Sequence, residues 1–181
     1  MVLPDIPYKI THRAVHYPRL EFKTGELVLI LPFGLSPDKL MEKHSKWIKE
    51  KFNFIAECIE DASEKRIPDR TIHEFKELVL RFMKKASKNL HKVPHKVHFR
   101  KMKTKWASMS SKKKLTINIL MQYLPNNLIE YVIFHEIAHL IVKKHNEVFW
   151  KIVSQRFKNY KKLEKELFSF WFLITRMAKQ N

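Results

Sequence analysis

Four residues in the stretch FHEIAHLIVKKH (134–145) have the types and spacing for metal-assisted hydrolysis: His135, Glu136, His139 and His145. On a helix, His135 and His139 place both imidazoles on one face, one turn apart, where both reach a single metal ion. Glu136 is rotated by about 100° from His135, so it leans over the open side of that ion without binding it. Zinc lowers the pKa of a zinc-bound water toward neutrality. The glutamate takes a proton from that water and delivers it to a leaving amine. Such a site needs a third protein ligand and an open fourth position, and His145 is the natural third ligand. In a continuous helix it points about 240° away from His139, so the helix must end near Lys143 and the chain must fold back. No glycine is available there; Asn146 or a lysine is expected to take any left-handed position, with Asn the more tolerant. The competing reading is a buried helix carrying satisfied core histidines, with Glu136 turned to solvent. Two histidines and a glutamate are costly in so apolar a helix unless paired or bound, which favours the metal.

The surrounding pattern outlines the elements that must hold these residues. RLEFK (19–23) alternates and ELVLIL (26–31) reads as a more buried strand, with a turn at Thr24-Gly25. Ser36-Pro37-Asp38 is a helix start, with Ser36 as the N-cap. The helix that follows carries Leu40, Met41, Trp47, Ile48, Phe52, Ile55 and Ile59 inward and fades before Pro68. Thr71-Ile72-His73-Glu74 fits a capping box, opening a helix to about Leu90. Residues 93–106 read as extended, SSKKK as a turn and LTINIL (115–120) as a short strand. Pro125 and two asparagines open a helix that is apolar nearly all round from Leu128 to Val142, so it should be central. Shorter helices are expected at Glu147–Phe157 and Leu163–Met177.

KWASMSSKKKLTINILMQYLPNNLIEYVIFHEIAHLIVKKHNEVFWKIV (105–153) resembles the YgjP-like metallopeptidase family, also called DUF45, whose relatives include the SprT-like and WLM zincins. Trp106, Ser108 and Ser110 match the family's R-W-G-S-C-S block. Asn118 matches its strand, Pro125 its helix start, Tyr131-Val132 the approach to the motif, and Phe149-Trp150 the exit. The family's Gly and Cys are Ala107 and Met109 here, and its Asn-His pair is Lys144-His145, with Asn146 after the histidine. The resemblance covers about residues 8–165. It implies an α+β, zincin-like fold with the active-site helix under a small antiparallel sheet, an N-terminal β-rich segment and C-terminal helices. It also implies zinc on His135, His139 and His145 with Glu136 as catalytic base, and an edge strand that aligns an extended substrate by backbone pairing. LTINI is the expected edge strand. The expected division is 1–66 (β-hairpins and a helix), 67–160 (catalytic core) and 161–181 (C-terminal helix), packed as one unit.

Composition bounds the alternatives. With 181 residues and 45% hydrophobic content, a folded core is expected. No apolar run reaches the roughly 18 residues of a membrane span, and MVLPDIPYKI does not read as a secretory signal. Cys58 is the only cysteine, which excludes an intrachain disulfide and a cysteine zinc cluster and fits a cytoplasmic protein. Lys+Arg outnumber Asp+Glu by 36 to 18, a net charge of +18 that attracts polyanions. Lysine predominates over arginine, the better bidentate phosphate ligand. His91, His95 and His98, split by a proline, read as surface residues. The aromatic face of LFSFWFLITRM (167–177) reads as docking on the body of the protein rather than on a membrane. The leading expectation is a zinc-dependent metallopeptidase acting on a protein or peptide, with non-specific nucleic-acid binding through the basic surface. The alternatives are a nucleic-acid-binding protein with a structural or weakly active zinc site, and a protease of DNA-bound proteins by analogy with the SprT and WLM relatives.

Overall fold

The structure, a computed structural model, describes residues 8–23 and 26–180. The turn expected at Thr24-Gly25 lies outside the described residues. Two compact units divide the chain, Met1–Glu64 and Lys65–Asn181.

The first unit contains β1 (Tyr8–His12), β2 (Arg19–Lys23), β3 (Glu26–Leu31), α1 (Asp38–Lys43) and α2 (Ser45–Ser63). β3 is central: β1 lies parallel to it and β2 antiparallel. Leu27, Leu29 and Leu31 alternate inward from β3 and pack with Met41 and Ile48, as a half-buried strand requires. The N-cap expected at Ser36 falls one residue later, at Pro37, which has no side-chain cap; Ser36 Oγ instead bonds the Asp38 carboxylate. The single helix expected here breaks at His44.

The second unit holds the histidines. It runs α3 (Ile72–Leu90), β4 (Lys96–Arg100), β5 (Ala107–Met109), β6 (Lys114–Asn118), a 3₁₀ turn (Ile119–Tyr123), α4 (Asn126–Ala138), α5 (Glu147–Arg156) and α6 (Tyr160–Gln180). The capping box is present: Thr71 Oγ1 accepts from Glu74 N and Glu74 Oε2 accepts from Thr71 N at 2.8 Å. α4 is the buried centre of this unit, with Leu128, Ile129, Tyr131, Ile133 and Ile137 fully enclosed. Arg70 braces its start, donating to the carbonyls of Gln122 and Leu124 and to Asn126 Oδ1. Lys85 of α3 and Arg156 of α5 both pair with Glu130 of α4, at 2.8 and 2.9 Å. Leu163, Leu167, Phe170 and Ile174 of α6 join the same core, so the aromatic helix docks inward as expected. Among the described residues no helix is long and apolar enough to cross a membrane.

The α+β class is as the sequence implied, and the sheet differs in two details. Its order is β4-β6-β5, with β4 parallel and β5 antiparallel to β6, so it is mixed rather than antiparallel. LTINI, expected at the edge, forms β6 and is the central strand. Leu115, Ile117 and Asn118 are fully buried, and both backbone edges of β6 are paired. The strand with an unpaired edge beside α4 is the three-residue β5, too short to stand out as a pattern in the sequence.

Candidate active site

The structure brings His135, His139 and His145 together: one nitrogen from each lies within 4.8 Å of the others. His145 Nε2 sits 2.9 Å from His135 Nε2 and 3.1 Å from His139 Nε2. Tetrahedral zinc with Zn–N bonds of about 2.05 Å separates its ligand nitrogens by about 3.3 Å, so the two separations from His145 lie close to, and slightly below, the spacing around one ion. Their protonation also fits. Burial, reinforced by the neighbouring His139 and His145, pushes His135 down to about 3, leaving it neutral. His139 Nδ1 lies 3.0 Å from the Val142 carbonyl, which selects the tautomer with its proton on Nδ1 and leaves Nε2 free for a metal. The donor set therefore fits zinc.

The chain reversal that delivers His145 differs from the expectation. α4 ends at Ala138, five residues before Lys143, and His139 itself is the C-cap with right-handed angles. The chain tightens through Leu140 N to Ile137 O and Ile141 N to Ala138 O, both 2.9 Å, the short-range bonds that commonly close a helix. No left-handed residue is needed: among the described residues positive φ occurs only at Gly34, His91 and Lys113. Asn146 has φ −92° and caps α5, its side chain accepting from Phe149 N at 3.1 Å. The adjacent aromatics then fix the imidazoles. Phe149 stacks on His139 with centroids 4.5 Å apart, and Trp150 stacks on His145 with Tyr160 against Trp150.

Glu136 lies in the same cleft of about 550 Å³, walled by α4, β5 and α6. Burial raises its carboxyl to about 7, against the pull of the Met109 backbone N–H and the Lys105 charge. Trp106 lines the cleft and packs edge-on against Trp171, with centroids 4.8 Å apart. His91 and His95 are exposed and His98 lies on β4; none joins the cluster.

Glu164 of α6 was not legible as a site residue. Its Oε1 accepts a hydrogen bond from the Tyr131 hydroxyl and lies 3.8 Å from His135 Nδ1. At that distance the carboxylate is too far for a hydrogen bond to the ring, but it would stabilise positive charge on it electrostatically when Nε2 binds a dication. Glu164→Ala is expected to weaken zinc affinity about 10–100-fold, measured by competition with a chromogenic chelator; unchanged affinity contradicts that role. Nothing local marks Glu164, which lies 19 residues beyond His145 on another helix.

No curated protein matches this chain. Two crystal structures are similar over part of it. One is the metallopeptidase zymogen of Pyrococcus abyssi abylysin, at 26% identity and TM-score 0.46, covering 49% of this chain and 90% of that one. The other is the metallopeptidase zymogen of Methanocaldococcus jannaschii jannalysin, at 26% and 0.42, covering 55% and 93%. Residues 59–170 match the YgjP-like metallopeptidase domain, a span that takes in β4 to α5 whole, with the helix bearing His135 and His139 and the turn bearing His145. With more than half of its length matched in this way, the chain belongs to the YgjP-like metallopeptidase family.

Proposed function

We propose that this metallopeptidase is zinc-dependent, with His135, His139 and His145 as the ligands and Glu136 as the general base. The supporting observation is the convergence of three imidazoles beside one buried carboxylate in a cleft bordered by β5, an outer strand of its sheet. Zinc, when bound, supplies Lewis acidity that makes water nucleophilic near neutral pH and polarises a peptide carbonyl. The carboxylate of Glu136 accepts the proton from the attacking water and returns it to the amine nitrogen of the departing peptide. A carboxyl raised by burial suits both steps, because proton transfer is most efficient from a group whose pKa lies near the working pH. The Met109 N–H facing Glu136 holds the carboxylate in place. β5 rather than LTINI is the strand proposed to align the substrate, an extended peptide pairing with the outer backbone groups other than the Met109 N–H, which serves Glu136.

The test is hydrolysis of an unstructured protein. The zinc-loaded chain is expected to cleave it, a chelator to stop cleavage and added zinc to restore it. Full zinc occupancy without cleavage would instead indicate a structural metal.

A further inference from the structure

The rim of the cleft carries lysines from three separate segments. Lys105 precedes β5, Lys113 lies in the turn after it, and Lys143 follows the end of α4. All three are exposed, and none is in an ion pair among the described residues. The carboxylates lining the cleft are Glu136 and Glu164; the first is buried against the Met109 N–H and the second is engaged by Tyr131. Lys105 already acts on Glu136, and Glu164 is partly exposed, so three ammonium groups face two carboxylates and the lining keeps a positive excess.

Low-dielectric cleft walls focus such a field. β5 is about 10 Å long at 3.3 Å per residue, with Lys105 just before its start and Lys113 beyond its end. An extended peptide paired along β5 therefore runs between two cations, and Lys143 adds a third from the α4 side. We infer that the cleft selects acidic peptides, those with Asp or Glu on both sides of the cleaved bond, and that Lys105, Lys113 and Lys143 set this preference. The inference rests on the peptidase reading above. A peptide fits better than a nucleic acid: the cations flank a free backbone edge, and Trp106, the aromatic best placed to stack on a base, is engaged by Trp171. Exposed ion pairs are individually weak, so the three together favour an acidic peptide on the order of tenfold.

The experiment compares three quenched-fluorescent peptides that differ only in the residues around the cleaved bond: acidic, neutral or basic. The zinc-loaded wild type is set beside the charge-reversed K105E/K113E/K143E variant, with zinc content measured in both. Expected for the wild type is a higher kcat/KM on the acidic peptide, on the order of tenfold over the neutral one at low salt. The preference should shrink at about 1 M salt, where screening acts over about 3 Å, and the reversed variant should lose or invert it. Equal cleavage of all three by the wild type, or an acidic preference that survives reversal, overturns the inference and leaves the peptidase reading intact. A zinc-loaded wild type that cleaves none of the three overturns both. Indifference to peptide charge, together with salt-sensitive binding of a duplex oligonucleotide that the reversal abolishes, also overturns it and assigns the lysines to nucleic acid.

Discussion

Glu136→Gln is expected to lower kcat/KM for peptide hydrolysis by about 10³-fold, the scale of a lost general base, while leaving zinc content unchanged. The amide has nearly the same shape as the carboxylate and can still fill the space beneath β5, but it cannot accept the proton of the attacking water. Metal retention follows because Glu136 is outside the cluster formed by His135, His139 and His145. The substitution also removes a carboxyl whose ionisation is opposed by burial, so the folded protein should be at least as stable as wild type. Steady-state kinetics on a fluorescent peptide, read beside elemental analysis and a thermal melt, check all three points. Retained activity would remove Glu136 from the chemistry.

Asn118→Ala is expected to destabilise the protein by about 3 kcal/mol, because it removes four hydrogen bonds made by one fully buried amide to partly buried backbone groups. Asn118 is fully buried at the end of β6, and its amide is used at every position. Oδ1 accepts from Met102 N at 3.2 Å and Leu120 N at 3.1 Å, and Nδ2 donates to Met102 O at 3.0 Å and Lys105 O at 2.8 Å. These bonds pin the segment that leads from β4 into β5, the wall of the cleft. The loss should therefore appear in urea unfolding and also as a lower kcat/KM under conditions where the variant is folded. Asn118→Asp should be damaging too, since it replaces both donors with a buried charge. Wild-type stability in the alanine variant would show that this network is dispensable.

The parts of this molecule legible from its sequence are those fixed by short-range spacing. The i,i+4 pair of His135 and His139 needs only a helix, and the capping box at Thr71 and Glu74 needs only one turn. β2 and β3 show through alternation that one buried face enforces. What could not be read depends on partners distant in the chain. In the sequence Asn118 marks only a position on a short strand, whereas its side-chain bonds go to the loop at Met102 and Lys105. LTINI was expected at the edge from the family resemblance, whereas its pattern alone fits a packed strand equally well; strand order is set by which neighbours dock, and β5 has only three residues to announce itself. The reversal before His145 was expected to need a left-handed residue. Instead α4 stops at Ala138, the His139 ring engages the Val142 carbonyl and Asn146 caps the next helix. Side-chain capping thus made the turn for which a left-handed Asn146 or lysine was expected.

Three histidines, from a helix end and the following turn, are proposed to hold one catalytic zinc ion. The most direct measurement is the metal content of the purified protein by elemental analysis, with wild type beside His145→Ala. The predicted result is about one zinc per chain in the wild type, as a three-histidine site requires, and loss of that zinc in a His145→Ala variant that remains folded by circular dichroism. A wild type without metal, or a variant that retains its zinc, would contradict the ligand set and return His135 and His139 to the role of buried core histidines.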